Sequence, residues 1–148
     1  MASMTNGFEN VLALLLFNNT GIANIGDAAG LPGSTAPGST QLSLASVAFA
    51  DTDTLLTANE IAYTGYARPT QARSSAGWTV AADTASNAAL VTFGEMTAGG
   101  PDTAVHLGLG FIATGDVLRL HQDLVSDLVI NNGITPTFQI GALDWVFS

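Results

Sequence analysis

The chain has 148 residues, of which 47% are hydrophobic and only 10% are charged, against about 25% charged residues in ordinary soluble domains. Twelve acidic and three basic side chains give a net charge of −9, and the sequence contains neither lysine nor cysteine. This composition argues against binding to nucleic acid or to an anionic membrane, since both depend on Lys and Arg, and it excludes disulfides and thiolate metal sites. So low a charge content suggests a protein that is partly covered by other subunits.

The N-terminal region lacks the features of a secretory signal or a membrane anchor. Its apolar run, residues 11–17, is shorter than the roughly 18 residues that a membrane-spanning helix requires. A basic region and a small-residue cleavage site are also missing around it. We therefore expect a soluble protein.

An apolar helix is predicted within residues 1–20. Asn6 and Glu9 have the spacing of an N-cap and a carboxylate that reaches back to it. An i, i+3, i+4, i+7 stripe follows, and residues 18–21 end the helix. The stripe consists of Phe8, Val11, Leu12, Leu15 and Leu16. A helix this apolar must be covered, either by its own β domain or by a neighbouring subunit.

Residues 21–40 are rich in Gly, Pro, Ser and Thr and follow neither the helical nor the strand period. They are predicted to form a loop or an extended arm. Two alternatives stay open, an arm that lies across a neighbouring subunit and a mobile surface loop. Residues 41–148 are predicted to form the β domain, and the whole chain a single domain.

A tyrosine-rich stretch, residues 59–69, is predicted to be a strand. β-branched and aromatic residues favour this conformation, and Pro69 disfavours a helix immediately before it. In a strand, Tyr66 and Arg68 would lie on the same face. That pair could hold a partner, a second subunit or a neighbouring strand.

The other predicted strands are separated by Gly, Pro and Asn turns. They cover residues 41–50, 78–81, 88–93, 103–113, 117–124, 128–130 and 136–147, with a turn at residues 83–87. In residues 103–113, His106, Gly108 and Gly110 share one face, and the glycines leave a flat strip on which a backbone or a large ring can lie. About eight short strands predict an all-β fold, an antiparallel sandwich or jelly roll with a short N-terminal helix.

Few residues are candidates for chemistry. His106 alternates with apolar neighbours and is predicted to be a satisfied, partly buried side chain. His121 and Asp123 form part of a metal or triad pattern, but no third ligand stands at a fitting spacing. Asp51 and Asp53 begin a calcium-loop pattern that lacks its glycine and its closing glutamate, so a solvated acidic turn is predicted there. We expect no enzyme activity, no cofactor and no metal.

Two motifs are the most specific parts of the sequence: Gly-Tyr-Ala-Arg at residues 65–68 and Asn-Gly-x-Thr-Pro at residues 132–136. With the apolar helix, the Leu-x-Leu-Ala strand and its acidic loop, the Gly-Trp-Thr strand and the glycine-rich strand, they resemble a family of small tailed-phage virion proteins of the tail-fibre or decoration type. The chain differs from that family in its long 21–40 loop and in the Asp-Trp-Val-Phe sequence at residues 144–147.

The resemblance implies a virion structural protein, assembled in the host cytoplasm, that has no catalytic residues. The first hypothesis is a capsid decoration (cement) protein that stabilises the head lattice. The alternative is a tail-, collar- or head-fibre component that could contact a host receptor or carbohydrate through aromatic side chains, each of which could instead pack in the core. A hydrolase of envelope sugars is the remote third class.

The expected partners are the major capsid protein or other virion proteins, and copies of the chain itself. Neither nucleic acid nor a membrane is expected as a partner. The candidate interface residues are Phe8, Leu12, Leu15, Leu16, Tyr63, Tyr66, Arg68 and Trp78.

Overall fold

The computed structural model describes residues 4–26, 30–112 and 115–147. Within these residues the chain forms one helix and nine strands, which pair antiparallel, and this confirms the predicted all-β class with an N-terminal helix. The helix α1 is Asn6–Asn18. The strands are β1 (Ser39–Ala45), β2 (Thr70–Ala72), β3 (Trp78–Ala81), β4 (Thr84–Asn87), β5 (Val91–Thr92), β6 (Asp102–Phe111), β7 (Leu118–Ile130), β8 (Thr137–Phe138) and β9 (Asp144–Val146).

The chain forms two compact units. Unit 1 consists of Met1–Gly38, Gln71–Leu90 and Gln139–Ser148, and unit 2 consists of Ser39–Thr70 and Val91–Phe138. Each unit therefore combines segments that are distant in sequence. The expectation of a single domain stays a prediction.

Helix α1 begins at a different cap from the predicted one. Thr5, not Asn6, is the N-cap, since its backbone is extended and its Oγ1 accepts a hydrogen bond from the backbone N–H of Phe8 at 3.4 Å. Asn19 ends the helix in the left-handed conformation, with φ 56°, and so confirms the predicted stop. Threonine and asparagine both cap helices well, so the sequence alone could not separate these neighbouring positions.

The buried face of α1 differs from the predicted stripe. Glu9, Ala13 and Phe17 are buried, at intervals of four residues, and the helix packs on β3 and β4. Most of the predicted stripe is only half-buried, and Phe8 is 39% exposed. The prediction was wrong because the helix is apolar on nearly all sides, so the spacing of its apolar residues does not indicate which face is buried. The Phe17 ring meets the edge of Trp78 with ring centroids 4.7 Å apart, and this contact orients the helix.

The sheet of unit 1 has the order β3, β4, β9. Its first hairpin pairs Trp78 with Asn87 and Ala81 with Thr84. The predicted turn at residues 83–87 is therefore wrong. Of the predicted strand at residues 88–93, Val91–Thr92 forms β5. The turn is made by Ala82 and Asp83. Ala82 has φ 55°, a conformation that glycine or asparagine usually adopts, so the sequence carries no signal for a turn here.

In unit 2, β1, β6 and β7 lie side by side in that order. Leucines face each other across β1 and β6, and the predicted glycine strip on β6 is confirmed: a Cβ added to Gly108 would lie 3.0 Å from both Leu56 and Phe49. Strand β7 is continuous through residues 118–130, where two separate strands were predicted. A register shift against β6 absorbs the interruption that the sequence suggested.

Residues 59–69 do not form the predicted strand. Among the described residues, the β-bridges of this stretch are isolated ones, from Glu60 to Ala45 and from Thr64 to Ala98. Gly65 breaks the alternation, since it has φ 96° and a Cβ there would lie 2.1 Å from the carbonyl oxygen of Glu95. The prediction was wrong because glycine was counted as one more strand residue.

The predicted loop at residues 21–40 folds back on itself, and its last two residues already belong to β1. Ile22 and Leu31 exchange two backbone hydrogen bonds, of 2.8 and 2.7 Å. The side chain of Asn19 accepts from the backbone N–H of Ser34 at 2.7 Å and donates to its carbonyl at 2.6 Å. Residues 27–29 of this loop lie outside the described residues. The helix terminus therefore holds the base of the loop.

Candidate functional sites

Arg68 lies at the centre of an ion-pair cluster within unit 2. Its Nε and Nη2 donate to the two carboxylate oxygens of Glu60, each at 2.6 Å, and its Nη1 donates to Asp116 at 2.5 Å. The side chains of Arg68 and Glu60 are 16% and 12% exposed, whereas that of Asp116 is 56% exposed. The hydrogen bond to Glu60 is the main cause that raises the pKa of Arg68, against the opposing effect of burial. This arrangement favours an internal role for Arg68.

Tyr66 lies in the same cluster, although not on a strand face. Its Oη accepts a hydrogen bond from the backbone N–H of Leu44 at 3.0 Å, and its ring stacks on Phe93 with centroids 6.0 Å apart. Burial raises the pKa of Tyr66, and the nearby Glu60 carboxylate adds to the rise. The prediction that Tyr66 and Arg68 share one face of a strand is wrong, because no strand forms there. Both side chains interact with Glu60 instead.

Tyr63 and Trp78 are core residues, in unit 2 and unit 1 respectively. The Oη of Tyr63 donates to the carbonyl of Gly94 at 2.7 Å, and burial raises the pKa of this phenol, with a smaller effect of Asp102. Trp78 is fully buried against Phe17. The core-packing alternative accounts for both rings, because neither has a face open for stacking against a sugar.

The helical candidates keep part of their apolar surface exposed. Phe8 is the most exposed of them, and Leu12, Leu15 and Leu16 are half-buried. We call these four residues the helix patch. Among the candidate interface residues, the helix patch is the group that offers apolar surface to a partner.

Arg73 holds the end of α1, a role that the sequence did not indicate. Its Nε donates to the carbonyl of Leu16 at 2.8 Å, its Nη2 to that of Leu15 at 2.8 Å, and its Nη1 to that of Pro37 at 3.0 Å. Burial lowers the pKa of Arg73. The last turn of the helix has no basic residue of its own, so an arginine from a distant segment satisfies its carbonyls. Sequence spacing gives no signal for such a contact.

His106 and His121 form a pair that the sequence did not predict. Nε2 of His106 lies 3.1 Å from Nδ1 of His121. Oδ1 of Asp123 lies 2.7 Å from Nδ1 of His106, but the two atoms are not aligned for a hydrogen bond. On the other side of the pair, Oδ1 of Asp51 lies 3.5 Å from Nε2 of His121. The four side chains form a row, which we call the histidine row. His106 is 4% exposed, so it is more deeply buried than the predicted partly buried histidine, and its Nδ1 is not satisfied as predicted. Asp123 pairs with His106 and not with His121, its predicted companion.

The described residues contain no group of three or more His, Cys, Asp or Glu side chains that could hold a metal ion. In the acidic turn, Asp53 accepts hydrogen bonds from the backbone N–H of Ala50 at 2.8 Å and from the side chain of Asn59 at 3.4 Å, as a turn-capping carboxylate does. Among the residues that the structure describes, no helix is long and apolar enough to cross a membrane.

Residues 26–146, which begin after α1 and include all nine strands of the described chain, match the family described as Podophage GP4 fiber I protein gp80. No curated protein matches the chain.

Proposed function

Because the chain belongs to the family Podophage GP4 fiber I protein gp80, we propose that it is a fibre component of a phage virion. As a member of this family it is a phage virion structural protein, and its place in a fibre is the step that we propose. The observation that carries the proposal is the match over residues 26–146, which covers most of the chain. The sequence had favoured capsid decoration first; the family's description makes the fibre the preferred hypothesis.

The side-chain arrangement supports a role in assembly without catalysis. The bidentate pair of Arg68 and Glu60 and the backbone contacts of Arg73 are all directed at the chain's own groups. Charge-assisted and bidentate contacts of this kind are among the stronger hydrogen bonds in proteins, and here they serve the fold itself. A rigid unit with few charges suits a component that is packed among other virion proteins or copies of itself.

We further propose that the helix patch (Phe8, Leu12, Leu15 and Leu16) contacts another virion protein. These side chains are apolar and incompletely covered by unit 1. Replacing Leu12 and Leu15 together by Asp places two charges on the patch, and incorporation into particles should be lost. Asn10→Asp, a single added charge at a half-buried polar position of the same helix, is the control and should be incorporated normally. Normal incorporation of the double variant would show that the helix patch does not contact another virion protein.

The proposal is tested by counting the protein in purified particles. Quantitative mass spectrometry of whole particles, emptied heads and detached tails gives copies per virion in each fraction. A fibre component should be present in tens of copies or fewer and should stay with the fraction that carries the fibres. Copy numbers comparable to the coat protein, retained on emptied heads, would support decoration instead and would overturn the proposal.

A further inference from the structure

We propose that the histidine row, Asp123–His106–His121–Asp51, is a pH-sensitive latch that holds residues 46–59 on the sheet of unit 2. The row has three gaps between four groups, of 2.7, 3.1 and 3.5 Å. His106 pairs with Asp123 across β6 and β7, and His121 pairs with Gly108, so the two rings are diagonal neighbours. The last carboxylate, that of Asp51, comes from the connection that follows β1. The inference does not depend on where in the virion the protein lies.

Counting protons shows why the row responds to pH. Each of the three gaps is filled when one N–H points across it, toward a carboxylate or toward a ring nitrogen lone pair. Two neutral imidazoles carry only two N–H groups, so the row is complete when the histidines hold one additional proton. The resulting single positive charge lies between the carboxylates of Asp123 and Asp51. The Asp123 side chain is 85% exposed, so it can rotate into line with the ring.

A further proton does not fit into the row. With four N–H groups, Nε2–H of His106 and Nδ1–H of His121 would face each other across a gap of 3.1 Å, where a hydrogen bond needs one donor and one acceptor. Two positive rings would also stand side by side. The rings must therefore separate when the second proton enters.

Separation of the rings would disturb the segment that covers them. The ring of Phe49 lies against both histidines, with centroids 5.7 Å from His106 and 6.0 Å from His121. Phe49 and Leu56 belong to one buried cluster with Ala45, the residue opposite His106 on β1. The carboxylates of Asp123 and Asp51 lie 2.7 and 3.5 Å from the rings and are their counter-charges. Asp53, on the same segment, accepts hydrogen bonds from Ala50 and Asn59, and Arg119 on β7 is exposed. Acid is therefore expected to release residues 46–59 from the sheet.

The test follows ring protonation and segment opening together on the full chain. Nitrogen-15 NMR reports the charge and tautomer of both rings, while hydrogen exchange with mass spectrometry reports protection of residues 46–59, from about pH 8 to about pH 4, which brackets the ordinary histidine range. The latch predicts two separate protonation steps. Only the second should coincide with a loss of protection of about tenfold, the equivalent of roughly one lost hydrogen bond. Independent titration of the rings with unchanged protection would overturn the proposal.

Variants distinguish the latch from general acid instability. His121→Gln keeps an acceptor for His106 but cannot take up a second ring proton, so residues 46–59 should stay protected in acid. Asp123→Asn should change the pH at which residues 46–59 lose protection, whereas Asp127→Asn, at an exposed carboxylate of the same strand outside the row, should behave as the unmodified chain. Equal acid opening in His121→Gln, or equal effects of the two aspartate variants, would contradict the latch. The aspartate pair decides the question even if His121→Gln does not fold.

Discussion

Replacing Arg68 by Ala should destabilise the folded chain, even in the absence of any partner. The variant removes both 2.6 Å bonds to Glu60 and leaves that carboxylate, 12% exposed, without its cation. Breaking a fully buried ion pair costs about 3–5 kcal/mol, whereas an exposed pair is worth about 0.2–1 kcal/mol. Because the Asp116 side of the cluster is open to solvent, we expect an intermediate loss of about 2 kcal/mol.

The loss is measurable by thermal or urea unfolding followed by circular dichroism. For a chain of this size, about 2 kcal/mol corresponds to a fall in Tm of roughly 4–8 °C. Arg119→Ala is the matched control, because it removes the same charge from an exposed position on β7. The control should change stability by less than about 0.5 kcal/mol. A double-mutant cycle with Glu60→Gln isolates the contribution of the pair.

One outcome would refute the reasoning about Arg68. If Arg68→Ala unfolds like Arg119→Ala but is not incorporated into particles, Arg68 binds a partner and its contacts to Glu60 add no stability. That result would return the residue to the interface role for which the sequence made it a candidate.

Three further perturbations follow from the described contacts. Arg73→Ala removes the donors to the carbonyls of Leu15 and Leu16, so it should cost about 2 kcal/mol and raise hydrogen exchange in the last turn of α1. Gly108→Ala places a Cβ 2.7 Å from Ser43 Oγ and should cost about 1–3 kcal/mol in urea unfolding, whereas Gly7→Ala, with nothing within 4 Å, should not destabilise. Tyr66→Phe should reduce the loss of stability in alkali. Because folding raises the pKa of this phenol, its stabilising contribution is complete below pH 10.0 and is lost as the pH rises toward the raised pKa. Unfolding measured as a function of pH would show the difference.

Local patterns predicted the parts of the fold that depend on local chemistry. Strand β3, Trp78–Ala81, was predicted with its observed bounds, because a turn of small polar residues precedes an alternation that starts at a large aromatic ring. The glycine strip on β6 was predicted because Gly108 can serve close packing only where a ring lies over it. The stop of α1 followed from the asparagines at its end.

The predictions were wrong where contacts between distant parts of the chain determine the structure. Arg68 was recognised as important, but its partners Glu60 and Asp116 lie eight and 48 residues away, and no spacing rule connects them. His106 was interpreted alone and His121 together with Asp123, because the pairing of β6 with β7, and its register, was not available from the pattern. Tertiary packing also determines which face of α1 is buried. Single residues such as Arg68 and His106 could be named from the sequence, whereas the clusters in which they lie could not be predicted from it.

The central claim, that this phage virion structural protein is a fibre component, is tested most directly by locating it on intact particles. Gold-labelled antibodies against the chain, viewed by electron microscopy on purified virions, show its position without any need to dissociate them. The account predicts labelling confined to fibres, at a few sites per particle. Labelling spread evenly over the head surface would contradict it.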